Sequence, residues 1–415
     1  TILETGYDIL FFWVARMIMD GIEFTGKPPF ETVYLHGLVR DEKGQKMSKT
    51  KGNVIDPLTV MDTLGTDALR FTLLVGSTPG KDTNLSIKKV EANRNFANKI
   101  WNAGRFVISA LEKAPTRPQA DPHWTSADEF IHARMRTLVR DVNYLFENFQ
   151  YGEAGRQIYD FFWSEFADWY IEIAKLQLNE GDDRAYYTAW TLVRVLDKCL
   201  RLLHPFTPFV TEELWQNLKQ VVLQRGTAID IDGDWAEALI VMKWPESTLE
   251  EAWESIAIHS FQHGVMEVVK SIRNMRLENK LSFREKLETT LVTTSLTAQV
   301  EKDRSTITAL CNLSALHIID KLPANNAFKQ YPSASLPSSG STIFVHLNNS
   351  TLISEKREQL EKELSTVAGQ IDRLETLLDS DFSKKAPPAV VQKAKDKLAA
   401  FQETAAKLKK QLASL

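Results

Sequence analysis

Cysteine is close to absent from these 415 residues. The two present, Cys199 and Cys311, lie far apart and form no CxxC pair. That excludes a disulfide framework and a cysteine-based zinc site, fits a reducing, cytoplasmic setting, and predicts no resident metal. Long apolar runs are missing too. The densest, Ile9 to Met19, is interrupted by Arg16, is too short to span a bilayer, and no signal-peptide pattern is present. No membrane partner is expected. Nor is there an excess of one charge: 50 Lys+Arg stand against 54 Asp+Glu, a formal net of −4, so any basic surface must be local. A loose polar start is also lacking. The chain opens on Thr1 and runs at once into dense apolar sequence, which leads to the expectation that it is a piece of a longer polypeptide.

What is present suffices for a sizeable core, with 43% apolar and 25% charged residues, and the length predicts two to four domains. Residues 1–85 alternate strand and helix patterns: Thr1–Thr5 extended, Asp8–Asp20 helical, Thr32–Val39 a buried strand, then helices from Asp56-Pro57 and over Asp67–Val75. Asp as N-cap with Pro at the first helical position fixes the start at residue 57. The alternation predicts part of a parallel α/β sheet. Residues 86–220 carry long amphipathic stretches at about 88–112, 126–148, 151–178 and 184–203, then a shorter one at 208–220, joined by short breaks, which predicts an antiparallel bundle. Its aromatic run Phe161, Phe162, Trp163, Phe166, Trp169 and Tyr170 reads as bundle core. Residues 221–350 read as a small α/β module, helical over Glu251–Glu278, with strands at Leu287–Thr293, Ser314–Ile319 and Thr342–Leu347 and a loop over Pro323–Ser341.

The cleanest pattern lies in 351–415. Ile353, Arg357, Leu360, Leu364, Val367, Ile371, Leu374 and Leu378 alternate steps of four and three, and the alternation resumes at Val391, Ala394, Leu398, Phe401, Ala405, Leu408 and Leu412. Two heptad helices around a proline-containing turn predict an antiparallel coiled-coil hairpin. The two arms differ in charge. Thr351–Ser383 holds four Lys/Arg and eight Asp/Glu, net −4, whereas Lys384–Leu415 holds eight Lys against Asp396 and Glu403, net +6. Pairing of the arms within one chain predicts a monomer.

The chemistry concentrates in Lys46-Met47-Ser48-Lys49-Thr50. Two ammonium groups three residues apart, with a hydroxyl and backbone N–H groups between them and Gly44 and Gly52 on either side to make the segment mobile, suit a polyphosphate whose charge rises as a leaving group departs. A solvated lysine-rich hairpin tip has the same composition. Gly6-Tyr7-Asp8 is the second piece: glycine admits close backbone approach, and the carboxylate could accept from a ribose diol or simply cap the following helix.

Tyr34-Leu35-His36-Gly37-Leu38 followed by KMSKT resembles the second half of the class I aminoacyl-tRNA synthetase active site, with Thr50 in place of the final Ser. The string from Thr5 to Met19, the helix Arg94–Asn102 and the segment Ser271–Arg276 are similar to the bacterial valine branch of that class, and the resemblance covers essentially the whole chain. It implies a multidomain, mainly α protein: a partial Rossmann-like catalytic segment (1–85), a helical anticodon-binding bundle (86–220), a small α/β module (221–350) and a coiled-coil tRNA-binding arm (351–415). It implies ATP with accompanying Mg²⁺, valine and tRNA(Val) as ligands. Lys46 and Lys49 are then catalytic. Met47, Ser48, Thr50, His36, Gly37, Gly6 and Asp8 complete the ATP site, and Ile9 lines the amino-acid pocket, though a helix Ile is more simply buried. Lys393, Lys397, Lys407 and Lys410 are the expected tRNA contacts. No HIGH-type motif and no editing domain are found, so the chain alone is expected to be inactive. An isoleucyl-type enzyme, or a tRNA-binding coiled-coil module without catalysis, are the alternative readings.

Overall fold

The computed structural model describes residues 1–119, 123–225, 234–247, 251–323, 328, 331–346, 349–379 and 388–413. The chain is mainly helical and divides into two compact units, one of Thr1–Lys270 with Leu296–Cys311, the other of Ser271–Ser295 with Asn312–Leu415.

The first unit opens with two short parallel strand pairs. Strand β1 (Ile2–Gly6) pairs with β2 (Thr32–His36), so that Gly6 lies opposite His36. Strand β3 (Val39–Arg40) pairs with β4 (Thr83–Asn84). The sequence predicts one strand over Thr32–Val39, but the chain breaks at Gly37-Leu38, because the backbone of Lys81 crosses there: a Cβ on Gly37 would lie 1.7 Å from the Lys81 carbonyl oxygen. The helix expected from Asp8 begins as a 3₁₀ turn (Tyr7–Ile9) and a wide π turn (Leu10–Val14) before settling into α1 (Ala15–Thr25). Asp8 makes no side-chain capping bond, so the simple capping reading fails. Helix α2 (Pro57–Leu64) starts where the Asp-Pro pair predicts, with the Asp56 carboxylate accepting from the N–H groups of Leu58 and Thr59. Helix α3 (Thr66–Val75) follows.

The bundle comprises α4 (Ile87–Lys113), α5 (Ser126–Glu147), a long helix α6 (Tyr151–Asp160) that continues through a π segment (Phe161–Tyr170) into α7 (Ile171–Gln177), then α8 (Asp182–Leu203) and α9 (Pro208–Arg225). The aromatic run is core as expected: Phe161, Phe162, Phe166 and Tyr170 are buried. Polar pins fix it. The fully buried Asp128 accepts from Tyr170 Oη (2.6 Å), pairs with Arg184 (2.9 Å) and completes a capping box with Thr125. Burial, and then Asp128, push the Tyr170 phenol well above its ordinary pKa. The strand–helix segment and the bundle share this unit through close backbone approach. A Cβ on Gly152 would sit 2.1 Å from Ser77 O, and Asp67 on α3 accepts from the first N–H groups of α9 (Val210, 2.7 Å). Helix α10 (Glu251–Phe261), a π turn (Gln262–Met266) and α11 (Glu267–Glu278) follow.

The second unit is built on a four-stranded sheet of β5 (Leu287–Val292), β6 (Leu313–Ile319), β7 (Ser333–Ser335) and β8 (Thr342–His346) in the order β6-β5-β8-β7. Strand β7 falls inside the expected loop, where antiparallel pairing with β8 overrides the Pro/Ser-rich composition. Arg276 is buried here, donating to the carbonyls of Ser282, Glu285 and Asn312 at 2.9–3.0 Å. The arm follows as two helices, Asn349–Asp379 and Pro388–Ala413. The described heptad positions are its least exposed residues, with Leu360, Ala405 and Leu408 buried, and Gln402 reaches across to Glu375 (3.1 Å). The expected turn lies mostly outside the described residues.

Candidate functional site: a lysine-bearing loop beside a parallel strand edge

The carboxyl ends of β1 and β2 bring Gly6 and His36 side by side, the position at which parallel α/β sheets bind ligands. The Asp8 carboxylate folds back over Gly6, where a Cβ would stand 2.7 Å from Asp8 Oδ1 and 3.6 Å from the His36 ring. A side chain at residue 6 would displace the Asp8 carboxylate from this position. Asp8 is exposed. His36 Nδ1 lies 2.9 Å from Gly37 O; a carbonyl only accepts, so this bond places a proton on Nδ1, and in the neutral ring Nε2 is then an acceptor. His36 and Gly37 also line a cavity of about 500 Å³ with Tyr34, Thr78, Lys81 and Tyr151; Gly6, Asp8, Lys46 and Lys49 do not line it.

Asp82 is the hub that joins these pieces, and sequence reasoning did not single it out. Its carboxylate accepts from Leu38 N (2.8 Å) and Tyr7 Oη (3.3 Å) and pairs with the Arg40 guanidinium. The Leu38 N–H first, then Arg40, hold its carboxyl below the usual range. Arg40 also reaches Gly44 O (3.4 Å), tying the strand to the loop that follows.

The loop is bracketed rather than loose. Asp41 accepts from the backbone of Lys43 and Gln45, and Asn53 Nδ2 donates to Asp41 Oδ2 (2.7 Å). Asn53 Oδ1 in turn accepts from Ser48 N (3.0 Å). The Asn53 amide, and next the Gln45 N–H, draw the Asp41 carboxyl down from its ordinary pKa. Ser48 Oγ caps the 3₁₀ turn Lys49–Lys51 by accepting from Lys51 N (3.3 Å). Gly44 (φ +75°) and Gly52 (φ +66°) both hold left-handed conformations, so the two glycines close defined turns instead of merely loosening the segment. Met47 packs into a cluster of Val60, Ala68, Leu69, Leu85 and Val90. Lys46, Lys49 and Thr50 are exposed on either side of it. Two ammonium groups and two hydroxyls on a short, anchored loop make an anion site of high charge density.

Ile9 is 42% exposed, so it is not the buried helix residue of the simpler reading. Phe11 (81% exposed), Phe12, Trp13 and Phe24 (82%) nearby in the chain are exposed as well. On the arm, Lys397 and Lys407 are exposed, and Lys407 Nζ lies 2.7 Å from Glu403. Lys393 and Lys410 fall on the same helix, but their side chains lie outside the described residues.

Three families match the chain in order. Residues 1–86 match the tRNA synthetases class I (I, L, M and V), residues 128–291 the anticodon-binding domain of tRNA ligase, and residues 353–415 the valyl tRNA synthetase tRNA binding arm. Strand edge, lysine loop, bundle and arm thus define a class, and the chain belongs to the class I aminoacyl-tRNA synthetases. Within that class it falls in the valyl-tRNA synthetase family. It is 41% identical over 420 residues to a valine–tRNA ligase of Dehalococcoides mccartyi, 41% over 424 residues to that of Symbiobacterium thermophilum, and 37% over 402 residues to that of Bacillus subtilis. The matches cover 99%, 100% and 95% of this chain but only 45%, 46% and 43% of those relatives, so the chain spans less than half their length.

Proposed function

We propose that this chain is the part of a valine–tRNA ligase that carries the phosphate-binding loop and the tRNA-binding elements, within ATP-dependent ligation of valine to tRNA(Val) through valyl-adenylate. The observation that carries this reading is the exposed Lys46/Lys49 pair, presented on a loop locked by Asp41, Asn53 and Met47 and tied to the preceding strands through Arg40 and Asp82. In the first step the valine carboxylate attacks the α-phosphorus of ATP and pyrophosphate leaves. Lys46 and Lys49 stabilise the departing diphosphate, assisted by Ser48 and Thr50 and the backbone of Met47. Preorganised cations lower the barrier without reorganisation during reaction. His36 and Gly37 lie against the adenine, Gly6 admits the nucleotide to the strand edge, Asp8 accepts from the ribose hydroxyls, and Ile9 faces the valine side chain. Mg²⁺ would accompany the ATP phosphates.

The second step, transfer of the valyl group to a ribose hydroxyl of the terminal adenosine, needs the RNA to be held. The bundle and the basic second helix of the arm serve that role, with Lys393, Lys397, Lys407 and Lys410 set against phosphates. No described helix is long and apolar enough to cross a membrane. We assign the exposed apolar side chains of Phe11, Phe12, Trp13 and Phe24 to contacts with further chain of the catalytic domain. Because these 415 residues hold no HIGH-type motif, the isolated chain is proposed to form no adenylate. Valine-dependent ATP–pyrophosphate exchange tests the assignment: the complete polypeptide should show it and the isolated chain should not. Exchange driven by isoleucine in preference to valine would overturn it.

A further inference from the structure

Three neighbouring strands of the second unit's sheet each contribute one titratable group to the same face: His317 from β6, Glu288 from β5 and His346 from β8. Glu288 lies opposite His346 in the antiparallel ladder, and Thr290, two residues on, lies opposite His317 in the parallel one. Alternation along the strands puts these side chains on one side of the sheet. A single carboxylate oxygen, Glu288 Oε1, stands 2.9 Å from His317 Nε2 and 3.5 Å from His346 Nδ1. The two imidazoles lie 6.4 Å apart. The cluster is open at one end and covered at the other, since the side chain of His317 is 51% exposed and that of His346 20%. Tyr331 stacks parallel on the covered ring (4.5 Å, 4°), and Phe328 meets it edge-on (5.7 Å).

His346 Nε2 shares a hydrogen bond with the hydroxyl of Thr290 (2.9 Å). Thr290 is buried, and among the described residues its hydroxyl meets no other partner. The Glu288 carboxylate favours a proton on His346 Nδ1, so in the neutral ring Nε2 accepts from Thr290. Protonation makes Nε2 a donor as well. Thr290 must then turn its hydroxyl round, which leaves the buried hydrogen without an acceptor. Burial first lowers the His346 pKa; Glu288 opposes that shift and His317 adds to it. Glu288 from β5, His317 from β6 and Tyr331 from the segment before β7 are the titratable groups facing this ring among the described residues. One carboxylate offsets one imidazolium. A second proton on the cluster leaves two like charges across a single oxygen, so the two rings titrate as a coupled pair.

The place of the cluster in the fold gives this chemistry a mechanical consequence. His346 is the last residue of β8 and makes the final pair of its ladder with β5. The first arm helix starts three residues later, at Asn349. Among the described residues the two arm helices pack chiefly on each other. The direction in which the arm leaves the sheet therefore depends on how firmly this strand end is held.

We propose that Glu288, His317 and His346 form a proton-sensitive anchor at the root of the arm, which holds the end of β8 while the cluster carries at most one proton and releases it when both rings are charged. The inference stands on the second unit alone and does not depend on what the arm binds. The test is the distance distribution between two spin labels in the 415-residue chain, one on the sheet at Ser314→Cys and one on the arm at Ala399→Cys, both exposed positions. The native Cys199 and Cys311 are buried and do not compete for label. In the parent chain the distribution should widen about twofold between pH 7.5 and pH 5.0, as the released state becomes the populated one. His346→Gln keeps a donor and an acceptor but takes no charge, so its distribution should stay narrow at both pH values. Glu288→Gln removes the charge that holds the cluster together and should be wide at both. If Glu288→Gln melts below the labelling temperature, His317→Gln replaces it: with one ring left the doubly charged state does not form, and the distribution should remain narrow at pH 5.0. An equal width at both pH values in the parent chain would overturn the proposal. So would the same widening in His346→Gln as in the parent, which would place the acid response elsewhere.

Discussion

Between Lys46 and Lys49, exposed, Met47 turns into an apolar cluster, and that inversion over four residues aims the charges outward. Lys46→Ala and Lys49→Ala should each lower valine-dependent pyrophosphate exchange of the complete polypeptide by about 10²–10³-fold while leaving the melting temperature unchanged, because neither side chain packs. Gly37 is the opposite case, important for space and not for charge. Gly37→Ala should destabilise the chain by about 2 kcal/mol or more in denaturant unfolding, since backbone cannot move aside as a side chain can. His132 gives a pH dependence with a defined sign. Its folded pKa, about 3, lies below the ordinary 6.5, so the unfolded chain takes up a proton that the native ring refuses. That contribution is complete above pH 6.5 and is lost as pH falls from 6.5 toward 3. The melting temperature should therefore drop more steeply between pH 6.5 and 4 in the parent chain than in His132→Gln.

Among the elements, the lysine loop and the arm contrast in what holds them. The arm is held by repetition: every described heptad position is less exposed than its neighbours, and the pattern could be read without any knowledge of the partner helix. The loop is held by single bonds between residues 12 apart, chiefly Asn53 to Asp41. Asn53→Ala should leave Asp41 short of a partner, cost about 1–2 kcal/mol of local stability and raise hydrogen exchange at Ser48, the amide that Asn53 accepts from. The long helices were legible for the same reason as the arm. Helix α4 was expected over about 88–112 and spans Ile87–Lys113, and the helix expected over about 184–203 spans Asp182–Leu203. The strand Thr32–Val39 was legible only in part, because its break is imposed by Lys81, more than forty residues away. Strand β7 was not legible at all: three residues, Ser333–Ser335, carry no periodicity of their own and exist by pairing with β8.

For the whole molecule the net charge of −4 conceals the feature that matters, a C-terminal stretch, Lys384–Leu415, of net +6. Neutralising Lys393, Lys397, Lys407 and Lys410 together should weaken binding of a tRNA transcript and reduce the slope of log affinity against log salt by about 3 units. An unchanged slope would remove the arm from the RNA contact. Lys407, already 2.7 Å from Glu403, should contribute least of the described pair when substituted singly.

The sequence by itself determined whatever depends on neighbours three, four or seven residues away: the helices, the heptad arm, the Asp56-Pro57 start and the chemical character of the lysine loop. Tertiary structure alone decided what depends on residues distant in the chain. It placed Asp82 under Leu38, Arg40 and Tyr7, set Asp67 at the start of α9, and drew tryptophans from positions 124, 190, 244 and 253 around one cavity. The physical reason is that helical periodicity is written locally, whereas the meeting of two distant side chains depends on how the helices between them pack.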